Sequence, residues 1–346
     1  MKLYWTVYGL VLRSPLRISR SVMTRRDAVR VVVRCDGVHG HGEVVTSSYY
    51  GLDVERIILL LKDLKPVLAG YADPETLLAE LPGVDSLGQD LPAGVLAAID
   101  TALHDLVAVR RGIPVHELIG VPRWTGVPTA YTIGITEPAS AAAQAADLTG
   151  RGFAVLKVKV GSDPDRDVAA LTAIRTVAPR ARLLLDPNGG WTAEQTVRVV
   201  ERLAASGVVV DALEQPIAPG HLDDLAWVRA RCPVPLIADE DAATAADVRA
   251  LAGVVDGVNV KLAKCGGISR AREIIAAARH GGMGVMLGCL VASSLGIAPA
   301  VHLTGHARWV DLDGHLLLAD DPWSGIGGED GTLRLSGAPG LGVVPR

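Results

Sequence analysis

The chain has 346 residues, 49% hydrophobic and 21% charged, with 38 glycines and 20 prolines. That composition excludes collagen-like, disordered and disulfide-scaffold chains, and the length implies one large domain plus a smaller one. A net charge of −4, with no basic tail or block of like charge, argues against a nucleic-acid partner.

In chain order, Tyr4, Thr6 and Tyr8 interrupt any signal-peptide core at the N-terminus. No apolar run reaches the roughly 18 residues of a membrane span, so no membrane partner is expected. Leu3–Leu12 and Ala28–Cys35 read as strands, and Asp36-Gly37 predicts a hairpin turn into a strand over Gly42–Thr46. Apolar residues recur at helical spacing over Asp53–Leu68 and Pro92–Arg110, and Gly112-Ile113-Pro114 stops the second helix. From about Val127 the texture changes to short apolar runs alternating with Ala-rich helical stretches. The runs are Thr129–Ile135, Ala154–Val160, Arg182–Leu185, Val208–Leu213, Leu236–Ala238, Gly257–Leu262, Gly284–Leu287 and Arg308–Leu312. Helices over Ala139–Leu148, Asp165–Val177 and Ser269–His280 separate several of them. This alternation implies right-handed crossovers, a parallel sheet and a (β/α)8 barrel.

Several polar residues read as structural. The cysteines Cys35, Cys232, Cys265 and Cys289 form no Cys-x-x-Cys pair and are read as free thiols of a reducing cytoplasm. His39 and His41 flank a turn and read as a solvated hairpin. His302 and His306, four apart, lack the glutamate of a zinc motif. Gly325–Gly328 follows no clear strand and precedes no helix, so it reads as a loop.

The informative charges close the strands. Lys157-Val-Lys159 ends the second run, Asp186-Pro-Asn188 the third, Glu214-Gln-Pro216 the fourth, Asp239-Glu240 the fifth and Lys261 the sixth. Separations of 27, 28, 25 and 22 residues (159 to 186 to 214 to 239 to 261) each match one βα unit. In a barrel those ends converge on one mouth. Asp186, Glu214 and Asp239 make an all-oxygen set suited to Mg2+ or Mn2+. Lys157 and Lys159 share one side of their strand, where mutual repulsion is expected to lower one pKa toward that of a base. Lys261 stands on the opposite rim, as a two-base proton transfer at a carbon acid requires. Lys264 reads as a surface lysine.

Together these residues resemble the enolase superfamily, in particular its muconate-lactonizing subgroup. Gly40-His41-Gly42-Glu43 resembles the Gly-x-Gly-Glu strand of the capping domain. Ala98–Leu106 with Gly112-Ile113-Pro114 resembles the helix leading into the barrel, His104 standing where Trp is common. The Lys-x-Lys, Asp-x-Asn, Glu-Gln-Pro, Ala238-Asp239-Glu240 and Lys261–Ile268 segments match in order and spacing. The resemblance implies a modified TIM barrel over 122–318, an N-terminal α+β capping domain over 1–121, and a segment 319–346 returning to that domain. It implies one Mg2+ on Asp186, Glu214 and Asp239, with Mn2+ able to substitute. Lys159 and Lys261 become the acid/base pair, and Lys157 tunes Lys159 and contacts the substrate carboxylate.

Within the subgroup, Trp309–Gly314 resembles the Asp-x-Asp motif of dipeptide epimerases, where Asp311 and Asp313 bind the α-ammonium. Thr129–Gly134, with Thr132, and Gly288–Ser294 also resemble that branch, although Ala292 stands where many members have an acid. The expected activity is epimerisation of the C-terminal residue of an L,L/L,D dipeptide through a metal-stabilised enediolate. Arg25 and Arg26 in the capping loop lean the second side chain toward an acidic or polar group, with specificity in Ser19–Arg26 and Thr46–Leu52. A muconate-type cycloisomerase, an N-acyl amino acid racemase and a Schiff-base lysine aldolase are the alternatives. The partner is a small molecule, and a homo-oligomer stays open.

Overall fold

The computed structural model describes residues 1–81, 91–122 and 124–346. Its N-terminal part is an antiparallel sheet, β1 (Lys2–Ile18), β2 (Ser21–Cys35) and β3 (Val38–Val45), in that spatial order. Asp36 and Gly37 turn β2 into β3 with φ of 49° and 82°, the left-handed pair that a two-residue hairpin needs. Val29, Val31 and Val33 alternate onto one face and are fully buried there. They pack against Ile57, Leu61 and Leu68 of the helix Val54–Ala69 and Ile99, Leu103 and Leu106 of the helix Ala93–Arg111. Asp53 caps the first helix by accepting from Arg56 N, and Gly112 ends the second in a left-handed cap. The second helix presses onto β3 closely enough that a Cβ at Gly40 or Gly42 would fall 2.0 Å from its carbonyl oxygens.

Eight parallel strands follow: β5 (Ala130–Ile133), β6 (Val155–Lys159), β7 (Arg182–Asp186), β8 (Ala212–Glu214), β9 (Leu236–Ala238), β10 (Gly257–Lys261), β11 (Gly284–Gly288) and β12 (Trp309–Asp311). A two-residue strand β4 (Val127–Pro128) precedes them and pairs outside the barrel with Thr332–Leu333. Their spatial order is their chain order. The ends meet where Leu312 N donates to Thr129 Oγ1 at 2.9 Å and Thr132 N to Asp313 Oδ2 at 2.6 Å. The fold is the expected (β/α)8 barrel with a capping sheet. One strand starts later than the sequence implies: Val208 N closes the preceding helix on Leu203 O after the left-handed Gly207, so pairing begins only at Ala212.

A layer of Ala130, Val155, Leu184, Ala212, Ile237, Met286 and Trp309 fills the barrel interior. Gly257 and Gly284 make room for the indole, since a Cβ there would lie 3.0 and 2.6 Å from the Trp309 ring. Past the barrel the chain returns to the capping sheet: Ala319 N donates to Val11 O, and Trp323 packs against the His41 ring at 5.5 Å. His41 is therefore half-buried rather than solvated, while His39 is exposed. His302 lies in the core, its Nδ1 accepting from His116 N at 3.0 Å and its Nε2 facing Leu341 O at 3.1 Å. Among the described residues no helix is long and apolar enough to cross a membrane.

Candidate active site at the barrel mouth

Side chains two apart on a strand share a face, so the residues above the apolar layer also point inward. From Ala130 the next inward position is Thr132; from Val155, Lys157 and Lys159; from Leu184, Asp186. The same step leads from Ala212 to Glu214, from Ile237 to Asp239, from Gly257 to Asn259 and Lys261, and from Trp309 to Asp311. The barrel thus changes from apolar to charged within one step along five strands. Of these side chains, Thr132, Lys157, Lys159, Asp239, Lys261 and Asp311 line a cavity of about 360 Å³ that the capping loops roof.

Lys157 is 2% exposed, with its ammonium 3.0 Å from Asp186, 2.6 Å from Glu214 and 2.7 Å from Asp311. Burial opposes its charge, but the three carboxylates outweigh that and hold its pKa well above the lysine value. Mutual repulsion with Lys159 therefore does not lower the pKa of Lys157. Lys159 donates to Asp186 Oδ2 at 2.6 Å and to Asn188 Oδ1 at 3.2 Å. Lys261 donates to Asp239 Oδ2 at 2.5 Å and lies 3.7 Å from Glu214. Burial again opposes its charge, and Asp239 and Glu214 again raise its pKa. Lys264 is no surface residue: it is buried, and donates to Asp239 Oδ1 at 2.8 Å and Asn259 O at 2.9 Å.

Asp186 and Glu214 end β7 and β8, Asp239 directly follows the neighbouring β9, and all three are buried. Among the described residues no three acids, histidines or cysteines close into a metal cluster, because the lysine ammonium groups lie between these carboxylates. Burial, then the charge of Asp186, pushes the Glu214 carboxyl up to about 7. An all-oxygen donor set whose central carboxyl is burdened by burial and by a neighbouring acid fits a hard divalent cation. Asn188 and Gln215, each directly beyond a strand-end acid segment, adopt positive φ of 48° and 33°. There Asn188 N donates to Asp186 Oδ1 and Gln215 Oε1 accepts from Asp239 N, both at 2.8 Å, so the strained turns orient the Asp186 carboxylate and hold the Asp239 backbone.

Across the mouth, Asp311 is bound through Oδ2 to Lys157, while its buried Oδ1 has no hydrogen-bond partner among the described residues. Burial, reinforced by Asp311, pushes the Asp313 carboxyl up to about 6. Two acids so placed fit a ligand ammonium.

Arg25 and Arg26 lie within strand β2 rather than in a loop, and the strand divides them between its two faces. Leu10 pairs with Arg26, and Arg26 lines the cavity, its guanidinium 3.4 Å from Val291 O. Burial lowers its pKa to about 10. Arg25, one residue earlier, points to the other face, is 62% exposed and pairs with Asp27 at 2.8 Å. It is therefore not brought to the site. Arg20 joins the roof to the rim, 3.0 Å from Glu240 and 4.6 Å from the Tyr49 ring centre. Arg20, Tyr49, Tyr50, Asn259 and the burial of Lys264 were not read from the sequence. Period two from Lys261 would have found Asn259.

Two family descriptions match the chain: "Mandelate racemase / muconate lactonizing enzyme, N-terminal domain" over residues 4–120, and "Enolase C-terminal domain-like" over 140–346. An L-Ala-D/L-Glu epimerase of Bacteroides thetaiotaomicron is 35% identical over 345 residues, covering 99% of this chain and 88% of its own. The substrate-liganded L-Ala-D/L-Glu epimerase structure from Bacillus subtilis is 29% identical at a TM-score of 0.92, covering 100% and 99% of the two chains. A dipeptide epimerase from Enterococcus faecalis V583, complexed with Mg and L-Leu-L-Tyr, is 28% identical at a TM-score of 0.93, covering 99% and 98%.

Proposed function

We propose that this chain, which belongs to the mandelate racemase/muconate lactonizing enzyme family, epimerises the C-terminal residue of a dipeptide by two-base proton transfer with Mg2+. The observation that carries the reading is the placement of two lysines. Lys159 ends β6 and Lys261 ends β10, with three strands between them either way round the closed barrel and the acidic residues in between. A substrate α-carbon over those acids has one lysine on each face.

Mg2+ held by Asp186, Glu214 and Asp239 would neutralise the charge that the substrate carboxylate gains as its α-carbon loses a proton. In its neutral form, the lysine facing the α-hydrogen takes that proton. The opposite lysine, as an ammonium, returns one to the other face and inverts the centre. In the reverse direction the two exchange roles. Lys157 stays an ammonium among its three carboxylates and serves as a fixed positive charge beside the substrate carboxylate. Asp311 and Asp313 take the substrate α-ammonium, with Thr132 N holding Asp313 in place. Both acids would repel a dianionic muconate. Arg26 supplies a cation for an acidic second side chain, and Arg25 drops out of that role.

The test is a panel of L,L dipeptides and their N-acetylated counterparts, incubated in deuterated water and scored by mass and chiral analysis. Free-amine dipeptides, those with a C-terminal Glu or Asp foremost, should epimerise with uptake of one deuterium. Equal kcat/KM for free and acetylated forms would refute the ammonium site and leave an N-acyl amino acid racemase.

A further inference from the structure

We propose that Lys264 is a positioning residue for this site, a buried ammonium that orients Asp239 and takes no part in proton transfer. The inference rests on the functional reading above. Lys264 lies in the short helix Leu262–Cys265, which follows β10 directly, and its side chain is 3% exposed. An ammonium has three hydrogens, and this one has three partners: Asp239 Oδ1 at 2.8 Å, Asn259 O at 2.9 Å and Asp239 O. All three belong to the protein, so none is left for a ligand. Lys264 is also absent from the cavity lining, whereas Lys261 and Asp239 are on it.

The two lysines therefore divide one carboxylate. Lys261 reaches Asp239 Oδ2 from the mouth at 2.5 Å, and Lys264 holds Oδ1 from behind. Without the rear contact the carboxylate is free to rotate about χ2 and no longer keeps the direction that the acidic set at the mouth requires.

The same strand end also holds the neighbouring acid. Asn259 Nδ2 donates to Glu214 Oε1 at 2.8 Å, while its carbonyl accepts from Lys264. Gly288 is required beside it, since a Cβ there would lie 2.5 Å from Asn259 Oδ1. One segment, Asn259–Lys264, thus sets the direction of two carboxylates and carries one proton-transfer lysine. Partners behind metal-binding side chains are typically worth about 10–100-fold in metal affinity or activity.

The experiment compares Lys264→Met, Lys264→Gln and Lys264→Arg with the wild-type protein. Three quantities are read: Mn2+ affinity of the substrate-free protein by electron paramagnetic resonance, deuterium wash-in started separately from the L,L and L,D dipeptides, and the thermal midpoint. Lys264→Met and Lys264→Gln should weaken Mn2+ binding and slow wash-in from both epimers by similar factors, about 10–100-fold. Lys264→Arg, which keeps the charge, should recover more than Lys264→Gln. Loss from one epimer alone at unchanged Mn2+ affinity would make Lys264 a proton-transfer group and overturn the proposal. Mn2+ affinity and wash-in within twofold of wild type would overturn it as well. Where Lys264→Met does not fold, the Gln and Arg pair decides. If the wild-type protein exchanges no dipeptide, the functional reading fails, and the Mn2+ titration still decides whether Lys264 orients Asp239.

Discussion

Replacing Lys159 and Lys261 one at a time by alanine separates the two faces of the reacting carbon. Each lysine ends a strand on its own side of the barrel, so neither can reach the face the other serves. The side chains are 11% and 9% exposed, which limits rescue by bulk water. Loss of a positioned general acid or base costs about 10²- to 10⁴-fold, or roughly 3–5 kcal/mol of barrier. The restricted solvent access puts both variants toward the upper end of that range. The assay follows deuterium incorporation from each epimer separately in deuterated water, by mass spectrometry, alongside chiral analysis of the product. Lys159→Ala should lose incorporation from one epimer and Lys261→Ala from the other, with net epimerisation lost in both. Retained epimerisation within threefold of wild type in either variant, or loss of incorporation from the same epimer in both, would refute the two-base mechanism.

Glu214→Gln keeps the shape and removes the charge at the centre of the acidic set, so Mn2+ affinity and turnover should collapse while the thermal midpoint is kept; full activity after exhaustive chelation would contradict the metal role. His302 concerns stability. Burial lowers its pKa to about 4, and protonating Nδ1 would break the bond from His116 N. The folded chain then binds fewer protons than the unfolded one, whose histidine titrates near 6.5. His302 therefore costs the fold nothing above that pH, and about 3 kcal/mol of stability is lost as pH falls from about 6.5 to 4. Denaturant titrations of wild type and His302→Gln should show the stability difference shifting against the wild type over that window, and parallel pH profiles would exclude it.

The barrel was legible because each strand is a short Val/Leu/Ile run bounded by a helix signal. All eight runs overlap an observed strand. What the runs could not give was the start of pairing at β8. Val208 and Val210 are buried and strand-like, yet Gly207 turns the chain so that only Ala212–Glu214 joins the sheet. Burial and β-pairing are different demands, and an apolar run reports the first. In the same way His41 looked solvated beside its turn, because the Trp323 ring that covers it comes from 282 residues further along the chain.

At the site the sequence reached those side chains whose position follows from period two on a strand, and failed where position depends on a partner strand or a helical turn. Arg25 and Arg26 must face opposite ways on β2, but which one faces the cavity is set by the pairing of Leu10 with Arg26 across the sheet. Lys264 follows the end of β10, where the alternation stops and one helical turn swings it back beneath Asp239. Repulsion between Lys157 and Lys159 does not set the charge of Lys157, for a related reason. Its neighbour in sequence is a lysine, but its neighbours in space are Asp186, Glu214 and Asp311, from three other strands. A like charge two residues away repels through a partly exposed edge, whereas three buried carboxylates within 3.0 Å attract through a low-dielectric interior. The second effect dominates, so the charge state of the residue at the centre of the mouth is fixed by the closure of the barrel.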